Sequence, residues 1–222
     1  MKQQDMMNNL DKIYGLVVDG IPHVAEPVTQ LADKYVRKSR SVDEAAVKLI
    51  NAQIAKSTAS GFVTGLGGIL TIPVSLPANL ATVLYFQLRM IAGVAYMAGY
   101  DVHSPQVRSL AYVCLAGLTM EQLLKNTGIK VGTRITKSVG SKLPGKLTAS
   151  INQKVGYRLF TKFGNRSALS VGKAVPILGG VISGGIDMLE TQMIAERAYN
   201  MFIGGDGEHA ADFTDFEVLD EE

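Results

Sequence analysis

Apolar residues recur at helical spacing in the first quarter of the chain. After Pro27, one apolar face is formed by Val28, Leu31, Ala32 and Tyr35. Ser41 with Glu44 is a capping-box pattern that opens the run from Val42 to Thr58. Within that run a second face is formed by Ala46, Leu49, Ile50 and Ile54. A period near 3.6 residues predicts amphipathic helices that cover a core.

A long uncharged segment follows, because no residue between Lys56 and Arg89 carries a charge. It exceeds the roughly 20 residues that cross a bilayer, but glycines and prolines interrupt it and weaken a continuous helix. These are Gly61, Gly65, Gly67, Gly68, Pro73 and Pro77. We predict a bend from Gly65 to Pro77 and a helix from Ala78 to Tyr100. The unit could be a buried hairpin, a re-entrant membrane hairpin, or one that switches between the two.

The second half repeats this alternation of amphipathic and apolar segments. A helix is predicted from Ser104 to Lys125, with Pro105 at its first position. Further on, two stripes run at four-residue steps. The apolar stripe consists of Ile151, Val155, Leu159 and Phe163. The cationic stripe consists of Lys154, Arg158 and Lys162. These stripes predict a basic amphipathic helix. A Gly-rich apolar segment, residues 174–186, then leads into a predicted helix from Asp187 to Phe202.

The two Gly-rich apolar segments resemble each other. Placing Pro73 over Pro176 also aligns Met90-Ile91-Ala92-x-x-Ala95-Tyr96 with Met193-Ile194-Ala195-x-x-Ala198-Tyr199 without a gap. We therefore predict a pseudo-repeat of two bent helical units, in which glycines such as Gly179 and Gly180 allow close backbone contact. The predicted fold class is all-α, a compact helical bundle with two Gly/Pro-kinked apolar hairpins.

Charge is strongly segregated, although the net charge is only +2. No Asp or Glu occurs from Gln122 to Ile186, whereas the segment after Gly205 is acidic and has no Lys or Arg. Loss of periodicity there predicts a flexible tail that is solvated, folds back onto the basic half, or binds a partner. The predicted organisation is amphipathic helices over residues 1–40, a helical domain over 41–203, and a disordered acidic tail over 204–222.

Catalytic and metal-binding patterns are missing from the sequence. The single cysteine, Cys114, excludes an internal disulfide and is expected to be a small core residue. His23, His103 and His209 are too far apart in sequence for a metal-ligand motif. No nucleophile elbow or phosphate-binding loop occurs. We expect a non-enzymatic protein without a cofactor or metal, located in the cytoplasm because no secretory signal opens the chain.

Three charged residues border the apolar segments. Arg89 follows the first of them, and Asp187 and Glu190 follow the second. Because a charge in apolar surroundings needs a partner, we predict a structural ion pair between Arg89 and either Asp187 or Glu190.

The basic region could bind an anionic lipid surface, face solvent or a protein partner, or bind nucleic acid. No nucleic-acid-binding fold and no stacking aromatics are evident, so nucleic acid is not expected. Each Lys or Arg near an anionic bilayer contributes about 1 kcal/mol, so a cluster suffices for reversible attachment. The predicted membrane-binding residues are Lys130, Arg134, Lys137, Lys142, Lys146, Lys154, Arg158 and Lys162. The predicted inserting hairpins contain Gly65, Gly67, Gly68, Pro73, Pro77, Pro176, Gly179 and Gly180.

Several motifs together resemble the signature of the bacterial EcsC family. The first half contributes Thr58 to Gly68, Pro77-Ala78-Asn79-Leu80, Gln87 to Ala92 and Gly99-Tyr100-Asp101. The second half contributes Gly128-Ile129-Lys130, Ile151 to Leu159, Phe163-Gly164 and Val175 to Gly180. The resemblance covers Ser41 to Phe202. It implies a helical, membrane-associated protein, named from an operon that also encodes an ABC transporter, and it implies no established reaction.

The leading functional hypothesis is a protein peripheral to, or shallowly inserted in, the inner face of the cell membrane. It would bind anionic lipid through the basic half and the apolar hairpins and support a transport or envelope process. One alternative is a soluble helical adaptor for a protein partner, such as a membrane transporter or a tail-binding protein. Another is a membrane-permeabilising protein, because GxxxG pairs occur at Gly61/Gly65, Gly128/Gly132 and Gly180/Gly184. No oligomeric state follows from these patterns.

Overall fold

The computed structural model describes residues 3–58, 76, 78–118, 145–169 and 180–204. Within these ranges the chain forms helices and no strand, apart from an isolated bridge between Ile21 and Ala25. The helices are α1 (Gln3–Asp19), α2 (Val28–Arg37), α3 (Val42–Thr58), α4 (Ala78–Met97), α5 (Pro105–Leu115), α6 (Gly145–Leu169) and α7 (Gly180–Phe202). They pack around one hydrophobic core, which confirms the predicted all-α bundle.

Helix α4 forms the centre of the bundle, because α1, α2, α3, α5 and α7 all pack against it. Its segment Leu80–Met97 is long and apolar enough to cross a membrane, but 83% of that segment is buried inside the protein. Its apolar residues therefore serve the core of the bundle. This favours the buried alternative for the helical arm of the first predicted hairpin. The preceding bend, from Gly65 to Pro77, lies almost entirely outside the described residues.

The predicted apolar faces of α2 and α3 are confirmed by their burial. Helix α1 contributes a third face of the same kind, formed by Met6, Leu10, Ile13, Tyr14 and Val17. It packs against α4 and α6, and α2 packs against α3 and α4. The N-terminal helices are thus built into the core that the later helices share.

The helix starts follow the predicted caps. The Ser41 hydroxyl accepts a hydrogen bond from the Glu44 backbone N–H at 3.1 Å, and the Glu44 carboxylate accepts one from the Arg40 N–H at 2.8 Å. At the start of α5, the Ser104 hydroxyl accepts from the Val107 N–H at 3.2 Å, ahead of Pro105. Side-chain oxygens thereby satisfy amides that have no partner within the helix.

Two helices end earlier than predicted, and glycine explains both ends. Gly99 and Gly117 have positive φ angles of 81° and 69°. At each, the glycine N–H and the following N–H bond back to carbonyls in the last helical turn, which is a Schellman motif. Helix α4 therefore ends at Met97 rather than Tyr100. Helix α5 ends at Leu115, so the prediction of one helix continuing to Lys125 is wrong.

Helix α7 begins earlier than predicted. It starts at Gly180 instead of Asp187, so the Gly-rich residues 180–186 are helical. Glycine disfavours a helix interior by about 1 kcal/mol but does not forbid it.

The predicted pseudo-repeat falls on α4 and α7, which pack against each other. Ile91, Ala92 and Ala95 are buried, as are the equivalent Ile194, Ala195 and Ala198. Each unit's tyrosine is hydrogen-bonded to an aspartate. Tyr199 donates to Asp43 Oδ1 at 2.8 Å, and Tyr96 bonds to Asp33. The aligned methionines differ, because Met90 is buried and Met193 is 49% exposed. The pseudo-repeat therefore stays a prediction.

Candidate functional site

One face of α6 is exposed and combines cationic and aromatic groups. Lys154, Tyr157, Arg158 and Thr161 lie at three- and four-residue spacing and are all exposed. Tyr157 is 65% exposed. The opposite face is buried through Ile151, Val155 and Leu159, and packs against α1 and α5. The predicted basic amphipathic helix is confirmed over these residues.

A second stripe lies on α7, with two exposed apolar residues and a half-buried arginine. Leu189, Met193 and Arg197 follow each other at four-residue steps. Leu189 is 63% exposed and Met193 is 49% exposed. The three most exposed large apolar side chains of the described residues are Tyr157, Leu189 and Met193. Large apolar side chains left in water together indicate a contact surface.

The α6 and α7 stripes border a common cleft of about 610 Å³. Both helices pack against α5, and the two residues that follow α5 also line the cleft. The cleft is lined by Ala116, Gly117, Arg158, Thr161, Lys162, Leu189, Glu190, Met193 and Arg197. The site therefore joins three parts of the chain that are far apart in sequence. We call it the α6–α7 cleft.

Lys162 and Glu190 tie the two walls of the cleft together. The Lys162 Nζ lies 2.7 Å from Glu190 Oε1, and both side chains are partly buried. The same ammonium donates a hydrogen bond to the Leu115 carbonyl at 3.3 Å, at the end of α5. Lysine near a helix C-terminus also interacts favourably with the helix dipole. Lys162 thus has a structural role that links α5, α6 and α7.

Arg197 is held over the turn that ends α5. Its guanidinium lies 3.4 Å from the position that a Cβ on Gly117 would occupy. Its Nη1 donates to the Met193 carbonyl one turn earlier, at 3.4 Å. Gly117 therefore supports the site in two ways, because it allows the positive φ of the turn and the close approach of Arg197.

The electrostatics of the cleft favour an anion. Arg158, Lys162 and Arg197 face one carboxylate, Glu190, so the lining carries a formal net charge of +2. Within the described residues, Glu190 pairs with Lys162, and no carboxylate pairs with Arg158 or Lys154. Clustered cations in a concave site raise the local concentration of anions.

Of the two acids predicted to pair with Arg89, Glu190 pairs with Lys162, and the pairing with Asp187 is not tested. The Arg89 side chain is only 8% exposed, and its Nη2 donates to the Glu26 carbonyl at 3.1 Å. Its Nη1 lies 3.3 Å from the Tyr85 hydroxyl, and its guanidinium lies 5.8 Å from the Tyr85 ring centre. The Asp187 side chain lies outside the described residues. The described partners of Arg89 are thus a backbone carbonyl of the α1–α2 connection and the Tyr85 hydroxyl, and an ion pair with Asp187 stays a prediction.

Most of the other predicted site residues lie outside the described part of the chain. Lys130, Arg134, Lys137 and Lys142 lie outside it, as do Gly65, Gly67, Gly68, Pro73, Pro77, Pro176 and Gly179. Lys146 and Gly180 lie at the starts of α6 and α7, where side chains are not described. Lys154 and Arg158 are exposed as predicted, and Lys162 is partly buried in its ion pair.

Sequence reasoning missed the α7 wall of the cleft. Leu189, Met193 and Arg197 form a stripe at four-residue steps, a signal that was available from the sequence. The stripe adjoins the buried Ile194, Ala195 and Ala198, so Leu189 and Met193 resemble ordinary core residues by type. Only the fold shows that they face the basic stripe of α6.

Buried titratable groups elsewhere have structural roles. Cys114 is fully buried, and burial raises the pKa of its thiol to about 12. The Tyr112 hydroxyl donates to Asp11 at 2.7 Å, and burial raises the pKa of Tyr112. Within the described residues, no cluster of three or more His, Cys, Asp or Glu residues is arranged to hold a metal.

Comparison with known proteins places the chain in a family. The model of the EcsC protein family matches residues 2–203. The match starts well before Ser41, so the resemblance that the motifs indicated extends through the N-terminal helices. No curated protein and no solved structure matches the chain. Because the family match spans nearly all of its length, this chain belongs to the EcsC protein family.

Proposed function

We propose that this protein binds the surface of anionic membranes through the exposed stripes of α6 and α7. The observation that carries the proposal is the coincidence of cations and apolar groups on one side of the bundle. Lys154 and Arg158 lack a carboxylate partner among the described residues, and the most exposed apolar side chains lie in the same region. In this proposal the protein acts peripherally, at the inner face of the cell membrane.

The charges support reversible attachment. Lys and Arg side chains contribute about 1 kcal/mol each near an anionic bilayer. The described cations Lys154 and Arg158 would supply about 2 kcal/mol on this basis. The acid-free sequence from Gln122 to Ile186 contains further Lys and Arg residues that could add to this attraction.

The exposed apolar groups support shallow contact rather than spanning. Tyr157 combines an aromatic ring with a hydroxyl, which suits the boundary between headgroups and acyl chains. Leu189 and Met193 are exposed beside the cationic groups. The helix long enough to span a bilayer, α4, is mostly occupied with packing inside the protein. The proposal therefore uses a surface face and leaves α4 in the core.

Vesicle flotation tests the proposal. The double substitution Lys154→Gln/Arg158→Gln is expected to weaken binding to phosphatidylglycerol vesicles by about 2 kcal/mol, or roughly thirtyfold. The matched control is Lys38→Gln/Arg40→Gln, which removes the same charge from exposed residues between α2 and α3, away from the cleft. The control is expected to bind within about twofold of the native protein.

Two results would count against the proposal. One is equal flotation of the native protein with anionic and with phosphatidylcholine vesicles at low salt. The other is an equal loss of binding in both double variants, because net charge alone would then explain the attraction.

A soluble adaptor is the second candidate function. The observation that favours it is the burial of α4, which lets the bundle close around its most apolar helix. Its exposed apolar stripe on α7 would then contact a protein, such as a component of a transporter. Pull-down with Leu189→Gln/Met193→Gln, in the absence of lipid, distinguishes this function because a protein partner would be lost from the variant.

A further inference from the structure

We propose that the α6–α7 cleft is a discrete binding site for the phosphate headgroup of a single anionic phospholipid. This inference rests on the proposed function and goes beyond it. Attachment through bulk charge requires no pocket and no defined stoichiometry, whereas the cleft would select one lipid molecule by its phosphate group.

The size and shape of the cleft suit a headgroup. Its volume of about 610 Å³ lies within the range of roughly 300–1,000 Å³ that is common for small-molecule sites. Residues 116 and 117, which follow α5, complete a lining that comes from α6 and α7. The cleft is therefore formed by three separate parts of the chain.

Arginine is the side chain suited to this ligand. A guanidinium is planar and presents paired N–H donors that match the oxygens of a phosphate. Arg158 comes from the α6 wall and Arg197 from the α7 wall. Since the third cation, Lys162, is already paired with Glu190, the two arginines supply the charge available to a ligand.

Arg197 is held in place by contacts within the protein. It lies against Gly117, and its Nη1 bond to the Met193 carbonyl holds it along α7. A guanidinium that is already held loses less conformational freedom on binding than a fully mobile one.

The apolar lining distinguishes a lipid from free phosphate. Leu189 and Met193 share the α7 wall with Arg197 and are largely exposed. A site that served inorganic phosphate alone would gain nothing from these side chains. A phospholipid presents a charged phosphate joined to glycerol and acyl methylenes, which complement the cations and the apolar residues respectively.

A titration without any membrane tests this inference. The probe is dihexanoyl phosphatidic acid below its critical micelle concentration, followed by calorimetry and by protein NMR. We expect saturable binding of one lipid per protein, with much weaker binding of inorganic phosphate and of dihexanoyl phosphatidylcholine. Arg158→Gln and Arg197→Gln are each expected to weaken binding at least about tenfold. Lys38→Gln, outside the cleft, should leave the affinity unchanged.

Folding controls keep the result interpretable. Arg158 is exposed, so Arg158→Gln should keep the native melting temperature. Arg197→Lys retains the charge but loses the paired N–H donors of the guanidinium. A folded Arg197→Lys protein with weakened lipid binding would support the role of the guanidinium.

The outcomes separate the two proposals. If vesicles bind while the short-chain lipid does not saturate, the headgroup site is refuted and surface attachment stands. If short-chain lipid binds equally to native protein, Arg158→Gln and Arg197→Gln, the cleft is not the site. If neither vesicles nor short-chain lipid bind, both proposals fail. If inorganic phosphate binds as tightly as the lipid, the site is for free phosphate and the lipid assignment is overturned.

Discussion

Gln53 is a polar side chain that is buried in the bundle. It is 1% exposed, and within the described part of the chain neither its amide nitrogen nor its amide oxygen has a hydrogen-bond partner. Gln87 on α4, by comparison, donates to the Thr191 hydroxyl on α7 at 3.0 Å. An unsatisfied buried amide costs about 1–3 kcal/mol, so Gln53 weakens the bundle that contains it.

Replacing Gln53 with a side chain of similar shape should stabilise the fold. We expect Gln53→Met to raise the free energy of unfolding by about 1–2 kcal/mol, because the unpartnered amide is removed without leaving a cavity. Urea denaturation followed by circular dichroism measures the change. Gln30→Met is the control at an exposed position and should shift stability by less than about 0.5 kcal/mol. A loss of stability in Gln53→Met would show that the amide has a native partner.

Helices α3 and α4 approach closely at a glycine. A Cβ on Gly93 would lie 3.0 Å from Leu49 Cδ1 and 3.2 Å from Leu49 Cδ2. Gly15, on α1, has no atom of the described residues within 4 Å of the equivalent position. The two glycines share a helical setting and differ in the space beside them, which makes them a matched pair.

Alanine at these two positions should have different effects. Gly15→Ala is expected to stabilise the protein by about 0.5–1 kcal/mol, because alanine favours the helix. Gly93→Ala should lose that gain, since Leu49 has to move. Thermal or urea unfolding of both variants measures the difference. Equal gains at the two positions would show that α3 and α4 are not in close contact at Gly93.

Most helices could be predicted from the spacing of apolar residues, because their stripes are regular and their caps are local. Helix α3 agrees with the prediction from Val42 to Thr58. The end of α5 could not be predicted, since a single glycine in a left-handed conformation decides it and Gly117 sits within a continuing apolar pattern. The prediction of where α7 starts was wrong for the opposite reason, because α7 includes glycines, which usually weaken a helix.

Only the α6 side of the candidate site could be predicted from the sequence. The basic stripe of α6 is periodic and adjacent in sequence, so it was visible. Arg158 and Arg197, however, are separated in sequence by residues 159–196, which include the end of α6 and most of α7. Their placement in one cleft follows from the packing of both helices against α5. Arg89 donates a hydrogen bond to the Glu26 backbone carbonyl. Every residue has such a carbonyl, so the sequence does not indicate which one is the partner.

The molecule as a whole has a membrane-facing side in this account. The α6 and α7 stripes would face lipid, while α2 and α3, which do not line the cleft, would face the cytoplasm.

The native cysteine does not interfere with a labelling test of this orientation. Cys114 is fully buried and the pKa of its thiol is raised to about 12, so it stays protonated and inaccessible near neutral pH.

Site-specific labelling therefore tests the orientation most directly. An environment-sensitive fluorophore attached to Tyr157→Cys should brighten and shift to shorter wavelength when phosphatidylglycerol vesicles are added, and the change should reverse in high salt. The same fluorophore on Val36→Cys, an exposed position on α2, should not respond. A response at residue 36 without one at residue 157, or equal responses at both, would contradict the proposed membrane-facing side.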